Sequence, residues 1–357
     1  MSVHMQSYRI AIIAGDGVGQ EVIPAGWRVL EALARREGTF TLACEDLPWG
    51  SAYYGRTGRM MPDDALETLR GFDAIYLGAV GWPTVPDHVT LWGLLLPIRQ
   101  RFDLYVNLRP VKLFPGVRGP LRDKGPADID MLCIRENTEG EYAGVGGRVH
   151  VNLDHEVALQ TTIFTRTGVE RVARYAFEQA RGRRKRLTSI TKSNASPHAF
   201  VFWDEVIREV ARDYPDVQVR HMLVDAACAA FVTHPEWFDV VVASNLFGDI
   251  LTDLGAAIQG SMGLAASANL NPRGGYPGLF EPVHGSAPDI AGQGIANPLG
   301  AIRAGALMLE HLGQTAASAT LLAAMSTVLE RGEARTRDLG GASTTAEVAD
   351  AVIAALA

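Results

Sequence analysis

The chain has 357 residues and a formal net charge of −7, which argues against a nucleic-acid partner. No apolar run is long enough to cross a bilayer, so no membrane association is expected. The first residues carry neither the charged region nor the apolar segment of a signal peptide. We therefore expect a cytoplasmic protein with room for two domains.

The first third of the chain alternates strand-like and helix-like segments, which predicts an α/β fold with a parallel-type sheet. A strand over 8–13 leads into a turn with Gly15, Gly17 and Gly19, and a helix follows. This spacing differs from the G-x-G-x-x-G of a Rossmann turn, so the turn is only a weak Rossmann signature. Further strands are predicted near 40–46 and 73–79, and helices near 63–70 and 91–101.

The middle of the chain continues the alternation and adds a projection. The glycines after Tyr142 and an alternating stretch up to Thr165 predict a protruding hairpin. The regular elements predicted around it are strands over 105–113, 130–134, 186–191 and 217–224, and helices over 167–181, 199–213 and 225–234.

The last third begins with an apolar run over 238–243 that predicts a buried strand. We expect the chain to turn at Gly248 into a helix, and to form a long irregular loop over 262–283. Helices are predicted near 297–312, 316–331 and 344–356.

Asp249 and Asp253 are four residues apart, so they share one face of the predicted helix. Their charges repel, and a divalent cation with oxygen ligands would compensate for that repulsion. An arbitrary pair at this spacing is more often a solvated surface, because charged residues are usually exposed. Here a buried strand precedes the pair and the neighbours are apolar, which favours a metal site; these neighbours are Leu246, Phe247, Ile250, Leu251 and Leu254.

Lys192 stands at the end of an otherwise uncharged strand, where open α/β sheets bind ligands. A nearby cation would lower the pKa of this lysine and allow it to act as a general base; otherwise it is a lysine that reaches solvent. Asp225 follows another predicted strand. It is either the N-cap of the next helix or a third metal ligand.

Arg99, Arg109 and Arg135 all lie at or near the ends of predicted elements. Three guanidiniums that converge would bind carboxylates through charge-assisted, fork-like hydrogen bonds. Taken singly, each arginine is more often part of a surface ion pair. The segment 280–297 offers small residues, turn residues and Asp289, which could accept hydrogen bonds from a ribose.

Taken together, these segments resemble the metal-dependent β-decarboxylating dehydrogenases, a family that includes isocitrate, isopropylmalate, homoisocitrate, tartrate and D-malate dehydrogenases. The resemblance spans essentially the whole chain. Its most specific parts are Asn107–Pro110, Arg135–Tyr142, Ser244–Asp253 and Glu281–Ile290. Within the family, the stretches 78–88 and 90–93 are most similar to the tartrate and D-malate branch, although the stretch 195–200 departs from it.

The resemblance implies a role for each matching residue. Tyr142 and Lys192 would be the acid–base pair. The substrate-binding residues would be Arg99, Arg109, Arg135 and Asp225. Mg²⁺ or Mn²⁺ would be bound by Asp225, Asp249 and Asp253, with Asp225 and Lys192 donated across a homodimer interface. NAD would be bound by Asn194, Glu281, His284, Gly285, Ser286, Ala287, Asp289, Ile290 and Asn297, with K⁺ as a candidate activator.

The resemblance also implies the fold and the reaction. The fold would be the two-domain α/β fold of isocitrate and isopropylmalate dehydrogenases, with a large mixed sheet flanked by helices, which is not a Rossmann fold. A large NAD-binding domain would comprise 1–104 and 260–357, and a small domain, 105–259, would hold the metal site, the dimer interface and an arm at about 136–166.

The implied reaction is the NAD-dependent oxidation and β-decarboxylation of a (2R)-hydroxy diacid, either D-malate or tartrate. Three alternatives stay open. Leu95 and Leu96 are compatible with 3-isopropylmalate, although they argue against isocitrate. The chain could instead be a non-catalytic regulatory subunit on the same fold, or a metal-independent Rossmann hydroxy-acid dehydrogenase.

Overall fold

The computed structural model describes residues 5–356. In chain order its strands are β1 (Gln6–Gly15), β2 (Phe40–Asp46), β3 (Ala74–Ala79), β4 (Val106–Lys112), β5 (Asp130–Glu136), β6 (Gly146–Val149), β7 (Val157–Gln160), β8 (Arg186–Thr191), β9 (Gln218–Leu223), β10 (Val240–Ala243), β11 (Ala266–Leu270) and β12 (Gly278–Pro282).

The α-helices alternate with these strands along most of the chain. They are α1 (Gly19–Glu37), α2 (Ser51–Thr57), α3 (Ala65–Leu69), α4 (Asp87–Thr90), α5 (Leu96–Arg101), α6 (Arg166–Arg181), α7 (Ala199–Ala211), α8 (Val224–Thr233), α9 (Asn245–Ile258), α10 (Leu299–His311), α11 (Thr315–Arg331) and α12 (Thr345–Ala355). Within the described residues, no helix is both long and apolar enough to span a membrane.

The chain divides into two compact units, which we call unit 1 and unit 2. Unit 1 comprises Met1–Leu104, Lys112–Pro126 and Ala256–Ala357. Unit 2 comprises Tyr105–Val111 and Ala127–Gly255. The segments 112–126 and 256–259, which were predicted to belong to the small domain, therefore group with unit 1.

In unit 1 the strand order is β2-β1-β3-β12-β11. The first four strands are parallel, and β11 is antiparallel to β12, so the sheet is mixed. Strand β3 is buried along its whole length because it lies inside the sheet, and α1 and α10 both pack against it.

In unit 2 the strands β5, β10, β8 and β9 are neighbours and run parallel. The carboxyl ends of parallel strands meet at one edge of a sheet, so the residues that follow them are brought to the same side. Those residues are Arg135 near the end of β5, Asn245 after β10, Lys192 after β8 and Asp225 after β9.

The predicted irregular loop over 262–283 was wrong, because this segment contains the short strands β11 and β12. They pair as a hairpin, with Ser267 opposite Glu281 and Asn269 opposite Leu279. The polar residues of this segment suggested a loop, yet Ser267, Asn269 and Glu281 are buried and hydrogen-bonded to one another.

The predicted turn at Gly248 was also wrong, because α9 begins three residues earlier, at Asn245. Gly248 instead lets the helix approach β5 closely. A Cβ at this position would lie 2.7 Å from the Cβ of Arg135, which is too close for any side chain. Glycine is therefore required at this position for α9 to pack closely against β5.

Unit 2 contains the predicted hairpin, and unit 1 contains a π-helical turn. The predicted hairpin is present as the antiparallel pair β6 and β7. A π-helical turn, Leu91–Leu95, joins α4 to α5. In this turn the backbone N–H of Leu96 donates to the carbonyl of Leu91, five residues earlier.

Candidate active site

Arg109 is a buried cation in unit 2, and two neutral groups hold its side chain. Its Nε donates to Asn107 Oδ1 at 2.7 Å, and its Nη1 donates to Thr252 Oγ1 at 2.7 Å. The same Nη1 lies 3.3 Å from Asp249 Oδ1 and 3.8 Å from Asp253 Oδ1. Because its plane is fixed by Asn107 and Thr252, the guanidinium faces both carboxylates of α9.

Arg135 is fixed in a similar way by Asn245. The Oδ1 atom of Asn245 accepts from Arg135 Nε at 2.9 Å and from Nη2 at 2.7 Å. The third nitrogen, Nη1, forms an ion pair with Asp249 Oδ1. Asn245 itself is anchored, since its Nδ2 donates to the carbonyl of Glu139 at 3.0 Å.

Asp249 and Asp253 lie on one face of α9, as the spacing predicted, and Arg109 and Arg135 offset their charge. Burial raises the pKa of Asp253 above its ordinary value, and repulsion from Asp249 adds to this effect against the attraction of Arg109. Two carboxylates on one face of a helix favour a bound cation, which would offset their negative charge.

Tyr142 lies beside the same carboxylates. Its hydroxyl donates to Asp249 Oδ2 at 3.3 Å, and the Arg135 guanidinium lies 5.5 Å from the centre of its ring. Burial, followed by the charge of Asp249, raises the pKa of Tyr142 above its ordinary value. The phenol is therefore protonated at neutral pH and able to donate a proton.

Lys192 and Asp225 form a second cluster in unit 2. Strands β8 and β9 are adjacent and parallel, and Lys192 Nζ donates to Asp225 Oδ1 at 2.9 Å. This hydrogen bond lowers the pKa of Asp225. Asp225 thus stays ionised and available as an oxygen ligand.

The described residues of a single chain do not complete a metal site, since no three His, Cys, Asp or Glu side chains in 5–356 come together. Asp249 and Asp253 supply two carboxylates of the type that Mg²⁺ and Mn²⁺ prefer. These two carboxylates suit such an ion, and at least one further ligand is needed to complete the site.

Glu136 is a buried carboxylate that the sequence analysis did not single out. It accepts hydrogen bonds from Thr138 N, Thr138 Oγ1 and Glu139 N, each at 2.9 Å. Burial nevertheless raises its pKa from 4.5 to about 6. The carboxylate shapes the turn that follows Arg135.

We predict that Glu136 makes the protein less stable as pH rises from 4.5 to 6. The folded state binds the proton more tightly than the unfolded state in this window, so the free energy of unfolding falls by up to about 2 kcal/mol from this group. Glu136→Gln should remove that part of the slope, as measured by urea denaturation at several pH values. Identical slopes in the two proteins would contradict the assignment.

In unit 1, Arg99 is shielded from solvent and paired with a carboxylate. Its side chain is buried, and Nη2 donates to Glu281 Oε1 at 2.8 Å. Glu281, a predicted cofactor residue, therefore pairs with Arg99, a predicted substrate residue.

The predicted cofactor loop also lies in unit 1 and packs on the glycine turn after β1. Val18 N donates to the carbonyl of Ser286 at 2.8 Å, and a Cβ at Gly17 would lie 2.0 Å from that oxygen. Ala287 has a positive φ of 41°, which marks a tight turn. Glu21 accepts from Gly292 N at 2.5 Å and from Gly294 N at 2.7 Å, which ties the loop to α1.

The loop presents one buried polar atom that suits a ligand. His284 Nε2 is buried and has no hydrogen-bond partner among the described residues, while Nδ1 lies 2.9 Å from the carbonyl of Gly285. Burial lowers the pKa of His284, so the ring is neutral. A buried nitrogen without a partner is costly unless a bound group satisfies it, and this fits a nucleotide cofactor.

The other predicted cofactor residues differ in their environment. Asn297 is buried, donates to Asp338 Oδ2 at 2.9 Å and accepts from Leu299 N at 3.0 Å. Gly285 and Asp289 are exposed on the loop, and Ile290 is half-buried. Asn194 is exposed in the turn after β8, in unit 2.

Sequence reasoning missed the neutral residues that hold the arginines. Asn107 lies two residues before Arg109, and Thr252 precedes Asp253. Each is a polar residue in an apolar stretch, and that pattern could have identified them. Glu21 gave no such signal, because a carboxylate in the first turn of a helix is common.

Comparison with known proteins gives consistent results. The family model described as isocitrate/isopropylmalate dehydrogenase matches residues 9–352. The chain is 55% identical over 356 residues to D-malate dehydrogenase [decarboxylating] of Escherichia coli (strain K12), covering 98% of each chain. It is 51% identical over 360 residues to tartrate dehydrogenase/decarboxylase of Pseudomonas putida, again covering 98% of each.

The fold is similar to that of a solved structure, isocitrate dehydrogenase from Methylococcus capsulatus. The TM-score is 0.88 at 36% sequence identity, and the match covers 98% of this chain and 99% of that one. The predicted family resemblance and the predicted fold class are therefore confirmed.

Proposed function

This chain belongs to the isocitrate/isopropylmalate dehydrogenase family, and on that premise we propose that it oxidises and decarboxylates a (2R)-hydroxy diacid. The proposed substrates are D-malate, which would yield pyruvate and CO₂, and tartrate, whose oxidation gives oxaloglycolate. The relatives that share 55% and 51% of its residues carry the names of these two activities, which supports the choice.

The observation that carries the proposal is the cluster of Arg109, Arg135, Tyr142, Asp249 and Asp253 in unit 2. It combines two fixed cations, a phenol that can donate a proton and two half-exposed carboxylates. A hydroxy diacid needs this combination, because its carboxylates must be bound, a proton must leave its hydroxyl and another must reach C3.

Arg109 and Arg135 would bind the substrate carboxylates. Both guanidiniums are held by neutral partners and each directs Nη1 toward Asp249. A substrate carboxylate would replace Asp249 at these nitrogens without reorienting either side chain, so little side-chain entropy would be lost on binding. The family resemblance assigns the same role to Arg99.

Asp249 and Asp253, with Asp225 of the partner subunit, are the proposed ligands of Mg²⁺ or Mn²⁺. When bound, such an ion would polarise the substrate hydroxyl as a Lewis acid, and NAD would accept the hydride. Lys192 of the partner subunit would accept the hydroxyl proton, and Tyr142 would return a proton to C3. The hydrogen bond between Lys192 and Asp225 would keep these two groups together as they enter the partner's site.

NAD would be bound by the loop of unit 1 that contains His284, Gly285, Ser286, Ala287, Asp289 and Ile290, together with Asn297 and Asn194. The unsatisfied Nε2 of His284 supports this role. Asp289 would accept hydrogen bonds from the adenosine ribose and repel a 2′-phosphate, which favours NAD over NADP.

The exposed hairpin β6–β7 supports a homodimer. Its apolar side chains are about half exposed, and such patches mark protein–protein contacts; they are Val149, Val151, Leu153, Val157 and Leu159. Sedimentation of the purified protein tests the dimer directly.

Steady-state assays should identify the substrate. With NAD and Mn²⁺, we expect the highest kcat/KM for D-malate or tartrate, with NADH and CO₂ followed together and with and without K⁺. A preference for 3-isopropylmalate would overturn the substrate assignment. No NADH from any of the three acids would favour a non-catalytic subunit, and activity in EDTA would contradict the metal role.

A further inference from the structure

The buried pair of Arg99 and Glu281 in unit 1 leaves part of the arginine unsatisfied. The two side chains are 6% and 9% exposed, and one hydrogen bond of 2.8 Å joins Arg99 Nη2 to Glu281 Oε1. Arg99 Nε is buried without a hydrogen-bond partner among the described residues. Leaving a buried donor of a charged group unpaired is costly, so this contact is incomplete as a purely structural ion pair.

Glu281 is itself held rigidly. Its Oε1 atom accepts from Asn269 Nδ2 at 2.9 Å and lies 3.4 Å from Ser267 Oγ. Ser267 is the direct partner of Glu281 across the hairpin β11–β12, and Asn269 also donates to the carbonyl of Leu279 at 3.1 Å. Because all three side chains are buried, the carboxylate is a fixed anchor point for the guanidinium.

We infer that Glu281 is a positioning residue for Arg99. It holds one nitrogen of the guanidinium and leaves Nε to an acceptor outside the described residues 5–356. This inference rests on the proposed function, under which that acceptor is a carboxylate of the substrate diacid. The pairing also offsets the arginine charge, so the contribution of Arg99 to affinity comes from its fixed geometry more than from its charge.

The position of Glu281 gives the pairing a second consequence. Glu281 lies in β12, and the loop with the proposed cofactor residue His284 begins directly after this strand. Strand β12 therefore carries the residue that orients Arg99 and leads directly into the loop proposed to bind NAD. Displacement of Arg99 would change substrate affinity without removing any cofactor contact.

The test compares two variants of Glu281 by calorimetric binding of D-malate to the full-length protein with Mn²⁺ and without NAD. Glu281→Ala removes the acceptor and should raise the Kd by roughly 10–100-fold, the value of a hydrogen bond to a charged group. Glu281→Gln keeps an acceptor oxygen of the same reach and should recover most of that loss. The KM for D-malate should follow the Kd, while kcat and the KM for NAD change little.

Glu21→Ala is the matched control, because Glu21 also holds the cofactor loop but does not contact Arg99. It should raise the KM for NAD and leave the Kd for D-malate unchanged. Thermal melts establish that each variant is folded. If Glu281→Ala does not fold, Asn269→Ala replaces it, since it loosens the same carboxylate; a smaller rise in Kd is then expected.

The outcomes separate this inference from the proposed function. Unchanged D-malate affinity in Glu281→Ala would overturn the inference, and so would equal losses in Glu281→Ala and Glu281→Gln, which would indicate a role for charge alone. Tighter binding in either variant would show that Glu281 competes with substrate, which also contradicts it. A wild type that binds D-malate without oxidising it would contradict the proposed function only, whereas a wild type that binds no diacid would overturn both.

Discussion

Lys192→Met should lower kcat for D-malate by roughly 10²–10⁴, the usual contribution of a well-placed general base. Methionine has a similar length but cannot accept the hydroxyl proton or donate to Asp225, which lies 2.9 Å from Lys192 Nζ. Lys185→Met is the matched control, since Lys185 also pairs with an aspartate, Asp216, at 3.5 Å and lies outside the proposed site. Steady-state kinetics of the three proteins measure the effect.

Tyr142→Phe separates the two proton transfers. It should lower overall turnover by a similar factor, since the phenol would supply the proton to C3 after CO₂ is lost. Oxidation of tartrate to oxaloglycolate does not require that proton, so NADH formation from tartrate should survive better in Tyr142→Phe than in Lys192→Met. Equal losses in every partial reaction would contradict the division of roles.

Replacing the two aspartates of α9 should give a second large effect. Both Asp249→Ala and Asp253→Ala should abolish stabilisation by Mn²⁺, which for a single site at 100 times its Kd is about 2.7 kcal/mol. Without metal, however, the two substitutions should change the free energy of unfolding by different amounts. Asp249 is 37% exposed and pairs with Arg135, whereas Asp253 is 58% exposed and lies 3.8 Å from Arg109.

Asp249→Ala should therefore lower the metal-free free energy of unfolding by roughly 1–3 kcal/mol, because it removes a charge-assisted hydrogen bond to the buried guanidinium of Arg135. Asp253→Ala should change it by about 0.5 kcal/mol or less, because its side chain is more than half exposed and its ion pair with Arg109 is long. Urea denaturation with and without Mn²⁺ measures both quantities. Stabilisation by Mn²⁺ that persists in either variant would contradict the proposed ligand set.

Much of the fold could be predicted because periodicity and turn residues act locally. Strands β2 and β8 begin and end where the sequence analysis placed them, and Asp249 and Asp253 share a helix face as their spacing requires. The meeting of Lys192 with Asp225 follows from two strand ends that become neighbours in a parallel sheet. These features depend on short segments and on general rules of sheet topology.

The remainder depends on contacts between distant segments. A glycine can mark a turn or a close approach, and Gly248 was misread because only the position of β5 decides between them. Strands β11 and β12 were missed because their buried polar residues look like a loop until the hairpin pairs them. That Arg109 and Arg135 would offset the charge of Asp249 depends on where three separate elements meet.

The π-helical turn Leu91–Leu95 determines the direction in which the side chains of α5 point, including that of Arg99. Each residue of a helix advances about 100°, so deleting one residue from this wider turn would swing the Arg99 side chain roughly a quarter turn away from Glu281. Insertion or deletion of one residue in this turn would therefore change the substrate specificity of a relative without replacing any catalytic side chain.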